Sequence, residues 1–336
     1  MGTLYLVTGA TGHLGNTIIQ KLILSGKRVR ALVLPGDRLR EHLPYGTELC
    51  FGDVFDIETL YPFFESGGDE LIVFHCAAII SITTGQEQRI YNINVQGTKN
   101  IVDLCVKNKV KKLVHVSSVH AIPVLPKGET MTEITEFSPR RVRGVYAKTK
   151  AEASSYVLAA AAAGLNASIV HPSGIIGPND NGCSPMTELF LNLGAKKLPA
   201  CVTGGYDFVD VRDVADGILS CCENGRSGEC YILSGNYISV PVIIRTISEA
   251  MGVKIPITLP IWIAKAAAPF AELYAKLSKT TALFTSYSLY TLSSNSLFSN
   301  KKAEKELGFK SRPFRETVAD TVNWLKLHKR IKTTGV

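Results

Sequence analysis

The stretch Thr8-Gly9-Ala10-Thr11-Gly12-His13-Leu14-Gly15 sets three glycines at GxxGxxG spacing directly behind the apolar run Leu4-Tyr5-Leu6-Val7. The run predicts a short buried strand over Thr3 to Thr8. The residues after it predict an amphipathic helix with Leu14, Ile18, Ile19, Leu22 and Ile23 on its apolar side. In a strand, turn and helix of this kind the glycines have separate jobs. One permits the tight turn, one lets backbone approach a pyrophosphate, and one allows close packing of helix on strand, with the helix N-terminus facing the phosphates. Glycines also punctuate ordinary turns, so it is the strand before and the helix after that give these three their meaning. The expectation is a dinucleotide-binding turn built from Thr8, Gly9, Thr11, Gly12, His13, Leu14 and Gly15.

Outward from that unit, further strands are predicted at Arg28 to Leu34, Leu49 to Phe51, Leu71 to His75, Lys112 to Val116 and Ala167 to Val170. Helices are predicted around Tyr91 to Asn108 and over Tyr146 to Ala163, which Gly164 ends. Strands that alternate with helices form parallel sheets, so the fold class is α/β, a Rossmann-type doubly wound parallel sheet. Beyond Pro172 the character changes to a glycine- and proline-rich loop and then to short mixed elements. This predicts a smaller mixed α/β lobe that closes over something. The expected division is 1–172 as the dinucleotide-binding domain, with 207–235 returning to it, and 173–206 plus 236–330 as the substrate-binding lobe. Phe314, Val318, Val322 and Leu325 recur at helical spacing and read as a helix packed on the core.

Composition narrows the partners. The chain has 336 residues, 46% of them hydrophobic, enough for a sizeable core. The net charge of +8 comes from scattered lysines and arginines and reads as a solvated basic surface that attracts small anions, with no nucleic acid expected. Eight cysteines without a CxxC pair predict free buried thiols, no disulfide and no metal site. The first apolar run is a strand ended by the glycine turn, so no secretion signal is expected and the location should be cytoplasmic. The most apolar later segment, Ile257 to Ala271, is interrupted by Pro260, Lys265 and Pro269 and is too short for a membrane span.

Chemistry centres on Tyr146 and Lys150, one helical turn apart and hence on one face of the predicted helix. A tyrosine hydroxyl ionises near ~10 in water, and a nearby ammonium favours the phenolate. The pair therefore suits a general acid that protonates a carbonyl oxygen as hydride reaches the carbon. Ser117 and Ser118 stand at the end of a predicted strand, where α/β sheets bind their ligands. Ser118 is placed to hydrogen-bond the same carbonyl oxygen, while one of the two serines is expected to cap the following turn.

These residues, together with Gly52-Asp53, Phe74-His75-Cys76-Ala77-Ala78, Asn94-Val95-Gln96-Gly97-Thr98, His171-Pro172 through Gly177-Pro178 and Phe208-Val209-Asp210-Val211-Arg212-Asp213, resemble the ordered motifs of extended short-chain dehydrogenases/reductases. The resemblance covers about two-thirds of the chain and is strongest toward dihydroflavonol-reductase-like and 3β-hydroxysteroid-dehydrogenase-like members. It implies a nicotinamide cofactor, Tyr146 as proton donor or acceptor, Lys150 on the nicotinamide ribose and Ser118 on the substrate oxygen. It also implies Asp53 and Val54 near the adenine, Ala77 and Ala78 along the cofactor groove, Pro172 and Gly174 beside the cofactor, and a possible homodimer through paired helices.

Two departures stand out. His171 occupies the position of the family's arginine in RPxxVxGP. The second strand ends in Val33-Leu34, which offers neither an acid for ribose hydroxyls nor an arginine for a 2′-phosphate. Cofactor choice then falls to Asp37-Arg38-Leu39-Arg40. Arg38 and Arg40 favour NADP, and Asp37 keeps NAD open.

The expected pocket wall includes Met186, Leu189, Phe190, Leu193, Tyr206 and Phe208, with Trp262, Ile263, Phe270 and Tyr274 further along. It has few charges, which suits a flavonoid-, steroid- or aldehyde-like substrate. Ser118, Tyr146, Met186, Phe190 and Phe208 are the expected substrate contacts. The chain thus reads as an NAD(P)-dependent oxidoreductase acting on a carbonyl or secondary alcohol of a small apolar molecule. Two alternatives stay open: a nucleotide-sugar epimerase or dehydratase, and a dinucleotide-binding redox sensor without turnover.

Overall fold

A computed structural model describes residues 2–80, 86–263 and 286–331 of the chain. Strand β1 (Thr3–Thr8) enters the glycine turn and helix α1 (His13–Leu24) leaves it. Strands β2 (Arg28–Val33), β3 (Glu48–Phe51), β4 (Glu70–His75), β5 (Lys112–Val116) and β6 (Ala167–Pro172) follow. Between them lie α2 (Glu87–Tyr91), α3 (Gly97–Lys107) and α4 (Val145–Ala162). Next come β7 (Gly174–Ile176), α5 (Pro185–Gly194), β8 (Ala200–Val202), β9 (Gly205–Asp210), α6 (Val211–Asn224) and β10 (Cys230–Leu233). The chain continues through β11 (Asn236–Ser239), α7 (Val240–Met251), β12 (Ile257–Leu259), α8 (Ser286–Ser293), α9 (Lys301–Leu307) and α10 (Phe314–Leu327).

The large sheet has seven strands in the order β10-β6-β5-β4-β1-β2-β3, and every pairing in it is parallel. This is the doubly wound Rossmann-type sheet expected from the alternation of strands and helices. Its strands read as nearly continuous apolar runs because both faces are covered. Leu6, Val73 and Leu113 point to a layer with Ile101 of α3 and Val157 of α4. Their neighbours Val7, Phe74 and Val114 point the other way, onto Ile18 of α1 and Val214 of α6. The strand order reverses between β1 and β4, and a crevice opens at such a switch point.

The smaller lobe carries the three-stranded sheet β11-β9-β7 and the pair β12-β8. Its core joins Phe190 of α5, Ile243 and Ile247 of α7, and Val318 and Leu325 of α10. β9 belongs to this lobe, whereas α6 and β10 return to the large sheet, so the chain crosses over at Asp210. Asp210 caps α6 by accepting from the Arg212 backbone N–H at 2.8 Å and pairs with the Arg212 guanidinium. Arg312 pairs with Asp213 on the next turn, tying the C-terminal segment to the same helix.

One expected helix is interrupted. The segment predicted as continuous over Tyr91 to Asn108 contains a π turn at Asn92–Gln96 between α2 and α3. Asn94 in that turn holds both sides of Ile79: its Oδ1 accepts from the backbone N–H at 2.7 Å and its Nδ2 donates to the carbonyl at 3.1 Å. The same Nδ2 reaches Thr149 Oγ1 on α4 at 3.1 Å. The wider turn thus couples the loop after β4 to the helix that bears Lys150, in keeping with the concentration of π bulges at functional sites.

Candidate active site

The carboxyl ends of β1, β4, β5 and β6 open onto a cleft of about 360 Å³ whose wall includes Gly12, Cys76, Ser118, Tyr146, Lys150 and Met186. At one end the wall is backbone. Gly9 has φ +64°, and a β-carbon there would stand 2.7 Å from the Ala77 backbone nitrogen. A β-carbon on Gly15 would overlap the Gly9 carbonyl oxygen, so α1 packs against the turn only because none is present. Gly12 caps α1 without any side-chain hydrogen bond, and the first turn carries no acidic residue. Exposed N–H groups at a positive helix end, with no side chain in front of them, fit the pyrophosphate of a dinucleotide. His13 borders this end. Its Nε2 donates to the Pro178 carbonyl at 2.8 Å, and burial lowers its pKa, which leaves a neutral ring that ties α1 to the smaller lobe.

At the other end the wall is side chains. Lys150 is buried on α4 and donates from Nζ to the Val116 carbonyl at 2.8 Å. Burial brings its pKa from 10.5 down to about 8, against a smaller opposing pull from Cys76. Small buried residues on the same helix, including Ala147, Ala151 and Ser154, let it lie close enough to the sheet for this contact. Tyr146, one turn earlier, is buried and lines the cleft beside it.

The two serines divide their roles. Ser117 turns inward, its Oγ 2.7 Å from Ser154 Oγ on α4. Ser118 lines the cleft, and its Oγ accepts from the His120 N–H at 3.2 Å. That acceptance leaves the hydroxyl hydrogen for a ligand. The serine expected to cap and the serine expected to meet substrate are therefore the same residue, Ser118.

Beneath the site is a row of buried histidines, His75 of β4, His115 of β5 and His171 of β6, on adjacent strands. On His75 of β4, Nδ1 is 2.7 Å from Thr8 Oγ1 and Nε2 is 3.0 Å from Thr98 Oγ1, and burial lowers its pKa to about 3. Thr98 gives its own hydrogen to the Asn94 carbonyl, so His75 Nε2 is the donor and its Nδ1 accepts from Thr8. His171 of β6 donates from Nδ1 to the Ser118 carbonyl at 2.9 Å, stacks on Phe137, and is held at about 4, chiefly by burial. At the position where the resembled motif has an arginine, this chain thus has a neutral buried ring that fixes the backbone of Ser118.

The remaining sequence candidates are distributed unevenly. Gly9, Gly12, His13, Leu14, Gly15, Ala78, Pro172 and Gly174 border the cleft. Thr8 and Ala77 stand one layer behind, with the Ala77 N–H donating to Thr8 Oγ1 at 3.2 Å. Thr11 donates to Asp37 Oδ2 at 2.7 Å, and Asp37 Oδ1 accepts from the Leu39 N–H at 2.9 Å. Both carboxylate oxygens of Asp37 are thus engaged, while Arg38 is exposed beside it. Asp53 accepts from the Phe55 N–H at 2.9 Å, and Val54 is buried against the close-packed Gly97.

The wall expected from the smaller lobe needs correction. Phe190 and Leu193 are 0% and 2% exposed in that lobe's core and do not line the cleft, because the apolar side of α5 turns toward α7 and α10. Phe208 lies against Gly174, behind the wall, and packs on Tyr206 and Phe314. Leu189 packs at the edge of the same core. Trp262 is 68% exposed and Ile263 lines no described cavity, while Phe270 and Tyr274 lie outside the described residues. Met186 and Tyr206 remain at the cleft.

His120 and Tyr206 contribute more than the sequence suggested. His120 Nε2 is 3.0 Å from the Tyr206 hydroxyl, and its ring meets Tyr146 edge-on at 5.8 Å. Burial lowers His120 to about 4, so the imidazole is neutral across the physiological range. The only sequence signal for it was its position two residues past Ser118. Among the described residues no carboxylate lines the cleft.

The family's sequence model, described as the NAD dependent epimerase/dehydratase family, matches residues 5–234. The chain belongs to the NAD-dependent epimerase/dehydratase family. It is an extended short-chain dehydrogenase/reductase and an oxidoreductase of that superfamily. Sterol demethylase protein B of Methylococcus capsulatus is 30% identical over 326 residues, which is 96% of this chain and 98% of that protein. The 4-hydroxy-2-methyl-3-oxo-4-farnesyl-3,4-dihydroquinoline-1-oxide ketoreductase of Stigmatella aurantiaca is 28% identical over 314 residues, 91% of each chain. The crystal structure of gox2253 superposes with a TM-score of 0.84 at 34% identity, covering 98% of this chain and 99% of that one. In this family member, no helix among the described residues is long and apolar enough to cross a membrane.

Proposed function

We propose that this family member transfers hydride between a nicotinamide cofactor and a carbonyl or secondary alcohol on a largely apolar small molecule, with Tyr146 as the general acid or base. The observation that carries this reading is the shared cleft, in which Tyr146, Lys150 and Ser118 stand opposite an uncapped, glycine-walled helix N-terminus. The bound nicotinamide would supply or accept the hydride. Gly9, Gly12 and Gly15 would hold its pyrophosphate, and Lys150 would hold its ribose.

In the reductive direction the Ser118 hydroxyl donates to the substrate oxygen and fixes its position, with the His120 N–H holding Ser118 Oγ from behind. Tyr146 delivers the proton to that oxygen. Lys150, charged below about pH 8, favours the phenolate left behind. Apolar substrates are supported by the cleft's lack of carboxylates and by the printed names of two relatives, a sterol protein and a ketoreductase of a farnesylated quinoline. A dehydratase that needs an added carboxylate pair is disfavoured by the same lack.

NADP is the preferred cofactor and NAD the alternative. Asp37 spends both oxygens on Thr11 and Leu39, which leaves Arg38 as the group beside the ribose position free of such ties. Thermal stability with NADPH, NADP, NADH and NAD at matched concentrations tests the cofactor half, since a ligand of the folded state raises stability by about RT ln(1 + [L]/Kd). Larger shifts with the phosphorylated forms are expected, and no shift with any of the four would overturn the reading.

A further inference from the structure

A second cavity, of about 270 Å³, adjoins the cleft and shares His120 and Tyr206 with it. Ala147, the neighbour of Tyr146, lines it as well. Three arginines from the loop before α4, Arg140, Arg141 and Arg143, border this cavity, and among the described residues no carboxylate does. In contrast, Arg30, Arg212, Arg226 and Arg312 each stand on a carboxylate elsewhere in the molecule. Among the described residues none of the three loop arginines has an acidic partner.

The surroundings are built to hold shape. Arg143 stacks over the Tyr290 ring at 4.4 Å, which orients its guanidinium. Asn295 donates from Nδ2 to the carbonyls of Leu125, Pro126 and Glu129, the last at 2.7 Å, and so fixes the opposite wall. The rest of the lining is mixed: Val119, Ile122, Met131, Val142 and Phe298 form an apolar patch, and Thr291, Ser294, Asn295 and Ser296 add polar groups. Three guanidinium groups with no carboxylate beside them among the described residues, next to a cleft lined largely by apolar groups, match a ligand that is apolar toward its reacting end and anionic at one place.

We propose that Arg140, Arg141 and Arg143 form an anion subsite, and that the substrate of the cleft is an amphiphilic acid whose carboxylate or phosphate sits in this cavity while its reacting carbon meets Tyr146. The assignment deepens the oxidoreductase reading and rests on it for the identity of the reacting end. Tyr146 is the third residue after Arg143, so their backbones are at most about 11 Å apart. The scattered basic charge of the sequence gains a local purpose at this loop.

The test is equilibrium binding by calorimetry, with the glycine end first filled by whichever nicotinamide cofactor stabilises the protein most, so that acids do not bind there. The probes are decanoate, decyl phosphate and decanol. Wild type is expected to bind one or both acids about 10-fold or more tighter than the alcohol, as several charge-assisted hydrogen bonds acting together allow. R140Q/R143Q should lose that preference while keeping the alcohol affinity and the cofactor-induced thermal shift, and R143K should keep part of it. The stronger of the two acids tells a carboxylate source from a phosphate source.

Raising salt from about 0.05 to about 0.5 M should weaken the acids and leave decanol unchanged. Tyr146→Phe should retain the acid preference, so a failure of the catalytic reading and a failure of the subsite give different results. Equal binding of acids and alcohol, no binding of either acid, or a preference unchanged in R140Q/R143Q would overturn the subsite. UDP-glucose binding tighter than both acids and lost in R140Q/R143Q would overturn the amphiphilic-acid assignment.

Discussion

The glycine end of the cleft and the tyrosine end are walled by different materials. Gly9, Gly12 and Gly15 form a wall of backbone in which the absence of side chains is the working feature. Ser118, His120, Tyr146, Lys150 and Tyr206 form a wall of side chains gathered from the loop after β5, from α4 and from β9. On the proposed reading, the backbone wall takes a group common to many ligands, a phosphate chain, and it is coded within seven consecutive residues. The side-chain wall has to match one substrate, and its parts are brought together only by the sheet and the smaller lobe. The difference explains why one end of the site is generic and the other particular.

Removing the tyrosine hydroxyl should give the largest effect. Tyr146→Phe is expected to lower kcat by roughly 10²- to 10⁴-fold, the usual range for a general acid. The thermal shift produced by cofactor should be unaffected. Turnover that survives at wild-type level would dissolve the division of labour between the two ends.

Phe190→Ala separates core from wall within the smaller lobe. The ring is fully enclosed, so its loss should lower stability by about 3–5 kcal/mol while leaving KM of the surviving folded protein near wild type. Denaturant titration paired with kinetics checks both halves. A KM change without a stability change would return Phe190 to the cleft wall.

Gly12→Val tests the backbone end. A side chain at Gly12 meets only the Gly9 carbonyl oxygen, at 3.2 Å, and otherwise projects into the cleft. The expected outcome is a cofactor Kd raised about 10-fold or more, an estimate that follows from blocking close approach to the phosphates. Gly15→Val, whose β-carbon would overlap the Gly9 carbonyl, should instead prevent stable folding. If both variants fold and bind alike, the turn has no special geometry.

The pH dependence should come from the side-chain end. Lys150 keeps its proton in the folded protein only below about 8, so kcat/KM for reduction should fall on an alkaline limb near that value. Its folded pKa lies below the ordinary 10.5, so below about pH 8 both folded and unfolded chains carry the charge, and the folded one bears the burial penalty. Stability of the cofactor-free protein should therefore rise as pH increases from about 8 toward 10.5, and Lys150→Met should remove that rise. A kcat/KM profile flat through pH 9 would contradict a catalytic ammonium.

The smallest effect is expected at Met186, on the cleft wall. Met186→Ala should change KM by a few-fold and stability by under about 1 kcal/mol, because the side chain is only half-buried. Together with Phe190→Ala it brackets the substrate wall from both sides.

Much of this was legible before any coordinates. The strand at Lys112 to Val116 and the helix over residues 314–327 fall where their apolar periodicity placed them, and α4 differs from its expected span by one residue at each end. Apolar periodicity fails where a helix core and a cleft wall have the same composition. Phe190 and Met186 are four residues apart on α5, yet one is core and the other wall. The π turn at Asn94 was equally hidden, since it depends on hydrogen bonds to Ile79 and Thr149, distant in sequence.

The sequence by itself determined the α/β class, the glycine turn and the one-turn spacing of Tyr146 and Lys150, because each is written in the periodicity and order of local elements; the pairing of β1 with β4 and of β6 with β10 is long-range. Only the tertiary structure decided that Ser118 both caps and faces the cleft, that His171 holds the Ser118 carbonyl, and that Asp37 is bound to Thr11. It also decided that His120 meets Tyr206 and that three loop arginines border a cavity beside Tyr146. Those contacts join residues tens of positions apart or set a side chain against a cavity, and a one-dimensional pattern does not encode which side chain a fold turns toward which wall.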